Sequence, residues 1–357
     1  MRNWLRYIVL VAFLILPLSK GEVAAAADPA KFDMLKLPEF SVTASSYGGK
    51  LLLSDSPEMV TGEGVLYQDT IQGDARLFFH HVNDTATPKK LSVILENNGN
   101  EAAQVTVYQY GLGGPGPDYL AVGKQAQLNY LSGGELYLVE VPANGRAQLS
   151  YVLADTVIQS NMLVNGIYDF TSDRPVNVKV MMHNVHSDPF KLAGAAKVLP
   201  ADSQHLRGTF DGRDRMIVPN QIYRAQEAGP VVLTLADNLT DLYVRGIDAT
   251  DGTPVVNYGN YGVVYRLFLP SDGDGKIGFW LNPRGGDYAG AIGVKYQHKL
   301  APPVPTPEST IAFGINKLTD FAKLGTFEGG QSLWLTFSPP GASNLPVKLL
   351  ILPEKAK

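Results

Sequence analysis

Cysteine is missing from all 357 residues. Its absence excludes disulfide staples, a thiol nucleophile and the lipid-bearing cysteine of a bacterial lipoprotein. Basic clusters are also missing beyond the Lys89-Lys90 pair, and without a basic face to meet phosphates the chain is not expected to bind nucleic acid. The apolar stretch from Tyr7 to Leu18 falls short of the ~20 residues that a membrane-spanning helix needs. Catalytic signatures are absent too: no G-x-S-x-G, no Asp-Thr-Gly or Asp-Ser-Gly, and no H-E-x-x-H.

What the N-terminus does contain is Arg2 and Arg6, the apolar run, a polar step at Ser19, Lys20 and Glu22, and Ala24-Ala25-Ala26-Ala27 before Asp28. This order predicts a signal peptide over residues 1–27, cleaved before Asp28 and leaving no stable membrane anchor. Cleavage would leave 27 basic and 33 acidic residues, a net charge of −6. The expected location is therefore secreted or cell-envelope, in a bacterial setting.

Gly 36 and Pro 24 with 45% hydrophobic residues describe short strands broken by turns. Runs such as Leu91–Leu95, Val105–Tyr110, Val176–Met182, Val231–Leu235, Val263–Leu269, Leu333–Phe337 and Val347–Leu352 have strand length and β-branched or aromatic content. Asn98-Gly99 and Asn144-Gly145 are expected to close hairpins, because both dipeptides supply positive φ. The reading is an all-β protein of two antiparallel sandwich domains, Ig-like or jelly-roll-like, with an N-terminal segment at 28–45, domain 1 at 46–198 and domain 2 at 199–357. Residues 301–307 read as an extended connector, and Asn316–Leu324 as the best helical stretch.

Three motifs invite chemistry and lose it on inspection. Gly111-Leu112-Gly113-Gly114-Pro115-Gly116 matches a dinucleotide fingerprint, but Pro115 and Pro117 stiffen the loop and the chain beyond is expected to return to strand rather than open a helix. Asp272-Gly273-Asp274-Gly275 lacks both the first acidic ligand and the closing glutamate of an EF-hand. His80-His81 and His183-x-x-His186 would place their rings on opposite faces of a strand and read as ordinary edge or loop histidines. No cofactor and no metal are expected.

Second-domain loops offer the better binding candidates: residues 205–210 with Arg207, 258–262 with Tyr258 and Tyr261, 282–288 with Arg284 and Tyr288, and 339–346. Arg284 offers a planar donor fork and Tyr288 a stacking face, both suited to sugars or carboxylates. The alternative is that these residues brace one loop against another. Leu206-Arg207-Gly208-Thr209-Phe210 followed by Asp214-Arg215, the Asn282-Pro283-Arg284-Gly285-Gly286 turn and Ser343-Asn344-Leu345-Pro346-Val347 together resemble a group of little-characterised secreted bacterial proteins. Some of these are labelled copper amine oxidase-like through a small neighbouring domain. The resemblance implies no oxidase activity here, since Asn129-Tyr130 is followed by Leu131, Asn260-Tyr261 by Gly262, and no His-x-His occurs. The expected function is non-catalytic binding of wall glycan or a surface protein; the rival is a polysaccharide-active enzyme using a carboxylate pair brought together by folding.

Overall fold

The structure, a computed structural model, describes residues 28–354; the expected signal peptide lies outside them. The fold is all-β, with strands mostly antiparallel. At its centre two long strands, Gly64–Asn83 and Leu163–Asn184, pair along almost their whole length. Register shifts at Val65/Tyr67 and Ile71/Gly73 bend this ribbon, as an extra residue on one strand does. Its two halves then take different neighbours. The second half of Leu163–Asn184 pairs with Lys89–Asn97, and the first half with Ala103–Gly116.

Side-chain alternation lets the central sheet serve two cores. Leu52, Leu77 and Phe79 join one apolar cluster with Val93, Tyr168 and Phe170. Leu51, Leu53 and Phe78 point the other way, into a cluster with Tyr265, Leu267, Leu281, Phe337 and Ile351. Burial on both faces explains the unbroken runs Leu51-Leu52-Leu53 and Leu77-Phe78-Phe79. Opposite the second face lie a seven-stranded sheet, whose order begins Val42–Tyr47, Asp214–Pro219, Val264–Phe268, Leu333–Phe337 and Gly290–Tyr296, and a four-stranded sheet built around Val347–Glu354 and Lys276–Pro283.

Sheet pairing crosses the expected division between 46–198 and 199–357. Arg207–Asp211 hydrogen-bonds to Lys50–Ser54 and carries Arg245–Asp248 and Thr253–Val256 into the first sheet. In return Val42–Tyr47 pairs with Asp214–Pro219. A buried ion pair reinforces the junction: Arg76 donates from Nε and Nη2 to the two carboxylate oxygens of Asp169 at 2.6 and 2.8 Å and from Nη1 to Asp214 at 2.8 Å.

Several local expectations are corrected. Lys89–Asn97 does not pair with Ala103–Gly116 across Asn98-Gly99, because the Asn97 amide caps this connection by donating to the carbonyls of Glu101 and Val141. Across Asn144-Gly145, Tyr137–Val141 pairs instead with Ala103–Gly116, and Gly145–Gln148 with Lys89–Asn97. The stretch 316–324 is turn and then strand, Ala322–Glu328 pairing with Lys276–Pro283, while the Asp320 carboxylate accepts from the backbone N–H groups of Gly314 and Asn316. The principal helix, Tyr119–Ser132, instead follows the glycine-rich motif, with Asp118 capping it through the Ala121 N–H at 3.0 Å. Residues 304–306 are extended and pair with Gly290–Tyr296.

Candidate functional site

A turn between the strands Lys50–Ser54 and Met59–Val60 carries Asp55, Ser56, Pro57 and Glu58. Bonds from several directions fix it. The Asp55 N–H donates to Leu206 O at 3.0 Å, and the Val82 N–H donates to Glu58 O at 2.8 Å. The Asp202 carboxylate accepts from the Ser56 hydroxyl and the Glu58 N–H, both at 2.9 Å. His81 lies 2.9 Å from Pro57 O through Nδ1 and 2.8 Å from the Ser54 hydroxyl through Nε2. A carbonyl only accepts, so Nδ1 carries the proton and Nε2 accepts from Ser54. Burial pushes the His81 ring down to about 3, which keeps it in this neutral form.

The turn forms one wall of an open cleft of about 770 Å³, lined also by His80, Pro117 to Leu120 at the helix N-terminus, Leu206, Tyr261 and Ala342 to Asn344. Both sides of the expected domain division thus contribute. The two carboxylates of the turn sit in unlike surroundings. Asp55 is 9% exposed, and its Oδ1 has no hydrogen-bond partner among the described residues. Burial, with the nearby charges of Glu58 and Asp202, holds its carboxyl well above the usual carboxylate range. Glu58 is 45% exposed at its side chain and lies 3.7 Å from His80 Nε2; that contact holds it below its ordinary value despite partial burial.

Each remaining wall is braced. Tyr261 donates its hydroxyl to Ser343 O at 2.8 Å and rests 6.4 Å from the Phe78 ring, and the Asn257 side chain bonds to both its backbone N–H and its carbonyl. Helix Tyr119–Ser132 is seated by the glycine motif: a Cβ on Gly113 would lie 2.1 Å from Val122 O, and one on Gly111 2.2 Å from Ala126 O. The motif's work in the fold is therefore close helix-to-strand approach. On the helix's other side a Cβ on Gly123 would lie 2.0 Å from Gly341 O, and Gln127 bonds to Ser338 O and Ala291 N.

Of the five side chains expected to bind, Arg207, Tyr258, Tyr261, Arg284 and Tyr288, only Tyr261 lines this cleft. Tyr288 is fully buried, edge-on to Phe313 at 6.0 Å, and its ring has no face to give a ligand; the expectation for it is corrected. Arg284 spends one Nη on Lys317 O at 2.8 Å. Its turn braces the cleft loop, since the Asp287 carbonyl accepts from the Asn344 backbone at 2.9 Å and side chain at 3.1 Å. Tyr258 is exposed and packs edge-on against Tyr243 at 6.0 Å. Arg207 is 4% exposed, so the expectation for it is corrected too: its guanidinium donates to Asp248, Thr250, Leu199 O and Leu66 O.

His205, Asp248 and Asp251 also converge. Asp248 already accepts from His205 at 2.8 Å, Arg207 at 2.6 Å and Thr250 at 2.6 Å, and the guanidinium beside it opposes a cation. Sequence reasoning missed Asp55 and Glu58 and took His80 for an ordinary edge or loop histidine. The available signals were two acids spaced by three in Asp55-Ser56-Pro57-Glu58 and the adjacent histidines.

The fold and site define an all-β protein with a polar, acid-lined cleft at the junction of its layers. No protein-family model matches the chain, and no curated protein matches it. Among solved structures it is similar to Paenibacillus xanthan lyase at 10% identity and a TM-score of 0.17, over 90% of this chain and 26% of that one. It is similar to the CUB1-EGF-CUB2 region of human MASP-1/3 at 11% identity and a TM-score of 0.20, over 80% and 99%. Overlaps this loose carry no argument about fold or function.

Proposed function

We propose that this chain is an extracytoplasmic glycan-binding protein whose ligand lies in the cleft between Tyr119, Tyr261 and the Asp55–Glu58 turn. The observation that carries the reading is the lining itself. Two tyrosines provide faces for sugar rings, while Asp55, Glu58, Asp118 and Asn344 provide acceptors and donors for hydroxyls. Among the described residues no Lys or Arg lines the cleft, which favours neutral or amino-sugar glycans over uronic-acid polymers. The export-type N-terminus and the resemblance to secreted bacterial proteins support an envelope or extracellular setting.

The test is titration of the mature chain with short oligosaccharides of glucose, N-acetylglucosamine and glucosamine. Tyr119→Ala and Tyr261→Ala should each weaken binding by roughly 1–3 kcal/mol, about fivefold to 150-fold. Arg284→Ala and Tyr258→Ala should leave it unchanged. Absence of affinity for every sugar, or loss confined to the Arg284 variant, would overturn the reading.

A further inference from the structure

We propose, resting on the glycan-binding reading, that the cleft also hydrolyses its ligand's glycosidic bond, with Asp55 as proton donor and Glu58 as base. Glycoside hydrolysis asks for two carboxyl groups whose environments differ, one keeping its proton and one ionised. Asp55 meets the first demand by geometry: it is nine-tenths buried at the cleft wall with an oxygen left without a partner. Glu58 meets the second, being open to solvent and facing His80 Nε2.

Both stand on one turn held by Asp202, Leu206, His81 and Val82, so their mutual placement is fixed before ligand arrives. Tyr119 and Tyr261 line the same cleft as the two carboxyl groups. His80 is a positioning residue for Glu58. Its ring, 2% exposed, fits because residue 341 is glycine; a Cβ there would lie 2.4 Å from Nδ1.

In the reaction, the anomeric C–O bond breaks and the Asp55 carboxyl proton goes to the departing oxygen. The oxygen of a water molecule bonds to the anomeric carbon, and that water's proton goes to Glu58. Solvent exchange returns both groups to their starting states, and no oxidant, reductant or metal enters the balance.

The experiment incubates the mature chain with each oligosaccharide it binds, in water enriched in the heavy oxygen isotope, and follows new reducing ends by mass spectrometry. One heavy oxygen per cleavage is expected. Asp55→Asn and Glu58→Gln should lower the rate at least about a hundredfold, as loss of an acid–base group does, while binding weakens by no more than about tenfold. Binding by the wild type with no cleavage overturns this proposal and leaves the binding reading intact, as does an Asp55→Asn variant cleaving at the wild-type rate. Failure of every oligosaccharide to bind removes the reading and the proposal together.

Discussion

Asp55 shows at the scale of one residue how a buried acid opposes stability. Its folded-state carboxyl is raised well above the ordinary aspartate range by burial and by the charges of Glu58 and Asp202. A raised pKa contributes stability that is fully present below the unfolded value and is lost as pH rises through the folded one. His81 acts in the opposite sense. Lowered from 6.5 to about 3, it makes the fold less stable as pH falls below 6.5. The difference between wild type and Asp55→Asn cancels His81 and isolates the aspartate. Asp55→Asn should therefore be the more stable protein at pH 8, with an advantage that shrinks toward pH 4; urea titrations across that range check this, and parallel curves would contradict it. None of this was legible beforehand, because an aspartate followed by Ser-Pro reads as an ordinary turn until Tyr261 and Leu206 arrive from far along the chain.

The clearest departure among the elements is the Tyr119–Ser132 helix. Most strands were legible as strand-length runs of β-branched and aromatic residues, as at Val231–Leu235, Leu333–Phe337 and Val347–Leu352. The helix was not, because Gly123 interrupts its buried stripe and Pro115 and Pro117 precede it. Pairing partners were the other illegible feature: Asn98-Gly99 and Asn144-Gly145 lie between strands, with positive φ only at Asn144, and which strands pair beside them depends on the bent ribbon between layers. Gly113 makes the helix's seat testable. Gly113→Ala would place a methyl 2.1 Å from Val122 O, so backbone must move, at a cost of about 1–3 kcal/mol. The same shift displaces Pro117 to Leu120, and glycan affinity should fall with it. Gly62→Ala, with nothing within 4 Å, is the control expected to change neither; an unaltered Gly113→Ala protein would contradict the seating role.

Over the whole molecule, the central sheet belongs to two cores, and the Arg76–Asp169–Asp214 pairs tie the strand Gly64–Asn83 to Asp214–Pro219 across the junction. The cleft opens where these layers meet, with walls drawn from residues 55–58, 117–120, 206, 261 and 342–344. Three of the four loop segments singled out from sequence reach it, through Leu206, Tyr261 and the 342–344 turn. The fourth, around Arg284 and Tyr288, supports one of those loops from behind. Composition identified loops able to carry a site; only the fold determined which side chains face outward, and it buried Tyr288 and Arg207. The most direct measurement of the central claim is a crystal structure of Asp55→Asn soaked with the tightest-binding oligosaccharide. The account predicts sugar density between Tyr119 and Tyr261 with a glycosidic oxygen facing residue 55 and Glu58. Ligand density bound elsewhere, at Arg284 or Tyr258 with the cleft empty, would contradict it.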